Sequence, residues 1–151
     1  MYRDVSRELS SVNKPVALLL EWEPRYSVHV AEIDEEHRVW FALINGLYFT
    51  VLEKADKRIL RTVLAETTQY TFAHFAHEEK LMEEIDYPER EKHVLEHEHL
   101  AREARAFTER LGSGQCATVI EYLVFLSEWV RHHTITTDRA LGDYINAHSV
   151  D

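Results

Sequence analysis

Cysteine occurs once, at Cys116. A single thiol excludes an internal disulfide and a cysteine-based metal site, and it suits a reducing cytoplasm. Glycine and proline are scarce, at four and three residues, and 45% of the chain is hydrophobic, which excludes a disordered chain. Long apolar runs are missing too. The longest near the N-terminus, Val16 to Leu20, is too short for a signal-peptide core or a membrane span. Basic residues are few: 17 against 27 acids, a formal net charge of −10. Nucleic acid and anionic membrane both demand clustered Lys and Arg, so neither is an expected partner. What these absences leave is a cytoplasmic globular chain of 151 residues, long enough for one core.

Histidine, by contrast, is abundant, with ten residues. Their placement follows from the apolar periodicity. Residues 1–21 are mixed and aperiodic and read as an N-terminal arm, with Trp22 and Tyr26 packing back on the body in 22–151. The acids Asp34-Glu35-Glu36 predict a helix start, with Asp34 as N-cap. A first inward stripe then runs His37, Phe41, Ile44, Tyr48, Val51 and stops near Ala55-Asp56-Lys57. A second runs Leu60, Val63, Thr67, Tyr70, His74, Glu78, Leu81, Ile85, and Pro88 opens the next helix. A third runs His93, His97, Leu100, Ala104, Phe107, Leu111, and Gly112-Ser113-Gly114 breaks it. The fourth is Val119, Leu123, Leu126, Val130, His133, continuing one residue out of step as Asp138, Leu141, Ile145. Five residues on a regular helix turn the chain by about 140°. Either Asp138 reaches sideways, or the helix is kinked or carries a π-bulge, or Asp138 is solvated. The pattern predicts an all-α fold, an antiparallel up-down-up-down four-helix bundle, with a looser helical arrangement as the alternative.

The inward stripes carry polar groups where a bundle wants apolar ones: His37, His74, Glu78, His93, His97, His133 and Asp138. Burying them unpaired costs several kcal/mol each, roughly, and a metal satisfies them together. His74-x3-Glu78 and His93-x3-His97 each stack two donors one turn apart on one helix face. Imidazole and carboxylate without thiolate suit iron, zinc or manganese. Seven ligands are too many for one ion. If both carboxylates bridge a pair of ions that also shares one oxygen, one of the twelve positions of two octahedral ions stays vacant.

The series resembles the hemerythrin family, in particular the bacteriohemerythrins. The segments that carry the resemblance are Val30-Ala-Glu-Ile-Asp34-Glu-Glu-His37, Tyr70-Thr-Phe-Ala-His74-Phe75-Ala-His-Glu78-Glu79-Lys-Leu-Met82, Tyr87-Pro88 before His93-x3-His97, and Trp129-Val-Arg-His-His133-x4-Asp138. It extends from about Trp22 to Tyr144. It implies two iron ions with an oxo or hydroxo bridge. His93, His97 and His133 would hold one iron and His37 and His74 the other, with Glu78 and Asp138 bridging. Dioxygen would bind reversibly at the iron of His37 and His74, held as hydroperoxide. Phe75, Val130 and Thr134 would line the dioxygen pocket. Thr134 stands where the family usually has an aliphatic residue, His29 where glycine is frequent, and Glu36 where glutamine is common. A hydroxyl at Thr134 admits water or hydrogen-bonds the ligand, so faster autoxidation is expected.

Outside the stripes, periodicity places His77 off the inner face, His99 in solvent, and His29 and His148 on the surface or in loops; His132 and His133 compete for one ligand role, and the stripe and the spacing to Asp138 favour His133. Glu79 reads as a surface carboxylate or an outer partner of a ligand. Trp40 and Trp129 read as core or interface groups rather than contacts of the centre, and Cys116 as a small packing residue. The expected function is a monomeric dioxygen carrier or store, not an enzyme. The alternatives are an oxygen or redox sensor acting through a signalling partner, and a di-iron oxidase, peroxidase or nitric-oxide enzyme. A carrier would deliver to an oxygen-consuming enzyme. Carboxylate-rich di-iron oxidases typically use Glu-x-x-His motifs, and this set is histidine-rich.

Overall fold

A computed structural model describes residues 17–112 and 119–148. Cys116, Ser113-Gly114 and arm residues 1–16 lie outside the described residues. Four long helical stretches form the body: α1 (Ala31–Leu52), α2 (Lys57–Glu84), α3 (Arg90–Gly112), and a fourth made of α4 (Val119–His133), a π-helical turn (Thr134–Asp138) and α5 (Arg139–Ala147). A single 3-10 turn, Pro24–Tyr26, precedes them, and no strand occurs among the described residues. Each helix packs on its two neighbours in a ring, first on second, second on third, third on fourth and fourth on first.

The turns follow from local chemistry. Asp56 caps α2 by accepting a hydrogen bond from the Ile59 amide at 3.0 Å. The first helix begins at Ala31 with Val30 as N-cap, four residues before the expected N-cap Asp34. Asp34 reaches back instead. Its carboxylate accepts from the Val28 amide at 2.8 Å and the Ser27 hydroxyl at 2.6 Å, so the acid anchors the entering chain from the first turn. Likewise α3 starts at Arg90, after a turn through Pro88-Glu89.

Two apolar clusters cap a polar layer. The larger holds Phe41, Ile44, Phe75, Leu100, Leu126 and Val130 among others, the smaller Val28, Ile33, Met82, Tyr87 and Leu141. The first helix passes from Ile33 through His37 to Phe41. The second returns from Phe75 through Glu78 to Met82, the third climbs through His93 and His97 to Leu100, and the fourth descends from Val130 through His133 and Asp138 to Leu141. This alternation is the up-down-up-down order, and the histidines occupy one level between two dry plugs. On α2 the buried line is Leu64, Thr67, Thr71, His74, Phe75, Glu78 and Met82, whereas Leu60, Val63, Tyr70, Leu81 and Ile85 flank it half-buried. Residues seven apart drift by about 20° on a straight helix, so a stripe read over about seven turns slides off the core.

The chain before α1 is docked. Leu20 is buried, its amide donates to Asn45 Oδ1 at 2.8 Å, and Asn45 Nδ2 donates to the Leu20 carbonyl at 2.7 Å. The Arg131 guanidinium donates to the Leu19 carbonyl. Trp22 and Tyr26 pack edge-on to Phe41, at 5.4 and 5.1 Å between ring centroids.

Candidate metal centre

All seven inward polar residues of the sequence lie together, and all are buried. The fourth helix reaches this layer through a change of pitch. Within Thr134–Asp138 the Arg139 amide bonds back to the Thr134 carbonyl, five residues earlier. The wider turn brings Asp138 round to the face of His133, and the two meet at 3.0 Å (Nε2 to Oδ1). Of the alternatives for Asp138, the π-bulge is the one the structure adopts.

The seven residues fall into two overlapping groups whose donor atoms lie within 4.8 Å of one another. One is Glu78, His93, His97, His133 and Asp138; the other is His37, His74, Glu78 and Asp138. Both carboxylates belong to both groups. Glu78 Oε1 faces His93 and His97 at 3.2 and 3.3 Å while its Oε2 faces His74 and His37 at 3.0 and 3.4 Å. Asp138 Oδ1 faces His93 and His133 at 3.1 and 3.0 Å while its Oδ2 faces His37 at 3.1 Å.

These close approaches are mostly not hydrogen bonds. Nε2 of His37, His74, His97 and His133, Oε2 of Glu78 and both oxygens of Asp138 are buried without a hydrogen-bond partner. Orphaned buried polar atoms are rare in folded proteins, and here they converge on shared points. Two ligand atoms about 2.1 Å from one ion, at right angles, sit about 3 Å apart. The spacings between donors are of that size, so the residues fit a metal pair.

The far sides of three rings are tied down, whereas Nδ1 of His37 and of His93 is buried without a hydrogen-bond partner. His74 Nδ1 meets Glu36 Oε1 at 3.2 Å, His97 Nδ1 meets Glu79 Oε2 at 3.4 Å, and His133 Nδ1 meets Glu96 Oε1 at 3.1 Å. A carboxylate on Nδ1 fixes the tautomer that leaves Nε2 free to coordinate. The Thr137 hydroxyl donates to the second oxygen of Glu96 at 2.7 Å. The second oxygen of Glu36 meets Nδ1 of the half-exposed His77 at 2.6 Å. Sequence reasoning anticipated only Glu79 in such a role. Glu96, beside His97 in sequence, serves a histidine of another helix, and nothing along the chain signals that.

Aromatic side chains wall the layer. Phe75 stacks on His97 with centroids 3.8 Å apart, and Trp129 stacks on His133 at 4.4 Å. Trp40 lies 5.2 Å from His74, anchored by its indole N–H on the Thr71 hydroxyl at 2.8 Å. Both tryptophans pack in or against the larger apolar cluster, as expected of core groups, and their rings also touch candidate ligands, which the sequence reading did not expect. Val130 and Thr134 are fully buried on the fourth helix. His77 is half-buried, and His29, His99, His132 and His148 are exposed, none of them in either group.

The electrostatics describe a trap for positive charge. Burial pulls the His37 imidazole down, but Asp138 and Glu78 outweigh it and lift the group to about 9. The same opposition puts His74 at about 10 and His93 at about 9. Burial likewise raises Glu78, yet the surrounding imidazoles hold it well below the usual range, and Asp138 likewise despite its neighbour Glu78. Its hydrogen bond to His133 carries Glu96 down to about 2. Without a metal, protons supply the cationic charge that the carboxylates demand.

Residues 28–145 match the family model for the hemerythrin HHE cation binding domain. The bacteriohemerythrin of Stenotrophomonas maltophilia is 31% identical over 130 residues, covering 86% of this chain and 84% of that protein. The bacteriohemerythrin of Clostridium acetobutylicum is 27% identical over 128 residues, covering 81% and 98%. A crystal structure of a hemerythrin mutant superposes with a TM-score of 0.79 at 21% identity, covering 84% of this chain and 97% of that one, a likeness of fold. With the HHE model spanning every residue of the buried histidine layer, the chain belongs to the hemerythrin family.

Proposed function

We propose that this chain holds two iron ions and binds dioxygen reversibly at them, as a carrier or store rather than an enzyme. The observation that carries the reading is the pair of donor groups that share Glu78 and Asp138. His93, His97 and His133 would hold one ion, His37 and His74 the other, and the two carboxylates would bridge. The first ion then receives five protein donors and the second four, so the open position falls on the side of His37 and His74. The iron pair supplies the redox chemistry toward dioxygen. The protein's own share is to fix the ligands and keep water out. Phe75 and Trp129 clamp the rings of His97 and His133, while Glu36, Glu79 and Glu96 hold the outer nitrogens. The apolar clusters above and below close the layer to solvent, and Phe75, Val130 and Thr134 line the ligand pocket. The reading carries with it a cytoplasmic monomer that passes oxygen to an oxygen-consuming enzyme or a signalling partner.

The test is reconstitution of the reduced protein with Fe(II), with iron counted per chain, followed by cycles of air and argon. A charge-transfer band that appears in air and disappears under argon supports the carrier. Prompt irreversible oxidation with release of peroxide overturns it in favour of an oxidase.

A further inference from the structure

Apart from Nδ1 of His37 and of His93, the layer contains one polar side-chain atom that neither a metal nor a neighbouring side chain accounts for. The hydroxyl of Thr134 is buried with no hydrogen-bond partner, and the residue has no exposed surface. Most threonines elsewhere in the described helices find this donor a partner within the protein. Thr50, Thr62, Thr67, Thr71, Thr108 and Thr136 each donate to the carbonyl four residues back, and Thr137 donates to Glu96. Thr134 does neither. It opens the π-helical turn, directly after His133. Val130 and Asp138, one turn to either side, are both fully buried. On the fourth helix a buried, unpaired O–H thus stands in the chain between two candidate ligands, His133 and Asp138.

We infer that the Thr134 hydroxyl donates a hydrogen bond to a small anionic ligand held beside the metal pair, and that it sets the preference of the site for such ligands. The inference rests on the di-iron reading. A hydroxyl surrounded by buried groups offers its proton to whatever enters the layer. Two cations attract an anion there, and a hydrogen bond between a neutral donor and a charged acceptor is among the stronger kinds. Since Thr134 has no contact with solvent, the ligand is one of a few atoms.

The probe is azide, titrated into the iron-loaded, oxidised protein and followed by its visible absorption. Thr134→Val keeps the shape and removes the donor; Thr134→Ser keeps the donor. The expected result is azide affinity weakened about tenfold in the valine variant and held within about threefold of wild type in the serine variant. Thermal unfolding of the metal-free forms is the second readout. The valine variant is expected to be at least as stable as wild type, since it loses an unsatisfied buried group. Equal azide affinity in wild type and Thr134→Val overturns the inference, as does a serine variant as weak as valine. If valine fails to load iron, Thr134→Ala takes its place under the same criterion. Fewer than two irons per wild-type chain sinks the di-iron reading itself, whereas two irons with unchanged azide affinity sink only the role of Thr134.

Discussion

At the scale of single residues, the outer carboxylates and one strained histidine make the sharpest claims. Glu96 holds His133 and is itself held by Thr137. Glu96→Gln keeps the shape but weakens the pull on the imidazole N–H. Loss of such an outer partner typically costs about 10–100-fold in metal affinity. Competition with a chelator should show that loss, while metal-free Glu96→Gln keeps its helical circular dichroism. His29 is the second case. Its φ of 60° lies in the left-handed region, which L-residues occupy at a cost of roughly 1–2 kcal/mol. The turn is held at its backbone, by Ser27 Oγ on the amide and Asn146 Nδ2 on the carbonyl. His29→Gly is expected to stabilise the protein by about 0.5–1 kcal/mol, read as a rise in the urea midpoint at unchanged slope.

At the scale of elements, the π-helical turn decides whether the fourth helix delivers Asp138. The sequence alone showed that His133 and Asp138 were out of step, but not which remedy the chain used. Deleting Thr136, an exposed residue, leaves Asp138 four residues after His133, about 40° round a regular α-helix. That variant is expected to load two irons. Inserting an alanine after Thr136 turns Asp138 by about 100°, and loading should fall below two; metal analysis after gel filtration reads both. A close helix contact next door is equally specific. A Cβ at Gly142 would stand 2.1 Å from the Val28 carbonyl oxygen, the segment that Asp34 anchors. Gly142→Ala should destabilise by about 1–3 kcal/mol, seen in thermal unfolding. The seven polar positions were legible because polar residues on an apolar stripe stand out in any one helix. Glu36, Glu96 and Trp40 were not, because their partners sit on neighbouring helices. The start of α1 was misjudged for a related reason: an acid that reaches back to Val28 resembles one that caps.

At the scale of the whole molecule, the metal layer is both the functional site and a stress in the core. Two apolar clusters hold together a sheet of five histidines and two carboxylates, and in the metal-free protein only protons balance that charge. His37 and His93 at about 9 and His74 at about 10 stand above their ordinary 6.5. Groups raised in the fold contribute stability that is complete below the unfolded value and is lost as pH climbs through the folded one. Glu78 and Asp138 are lowered from 4.5 and 3.8, so their contribution is present above those values and is lost as pH falls. Metal-free protein should therefore be most stable between about pH 4.5 and 6.5 and should weaken steadily toward about pH 9. Iron replaces the protons and requires neutral imidazoles, so the loaded protein escapes the alkaline loss. Bound metal at a thousand times its dissociation constant adds about 4 kcal/mol. Thermal unfolding of stripped and loaded protein across this range should show the gap in Tm widening from pH 6.5 upward, with protons released on loading. A metal-free Tm that stays level or rises between about pH 6.5 and 9 would show that the carboxylates do not govern the histidine layer in the way its geometry implies.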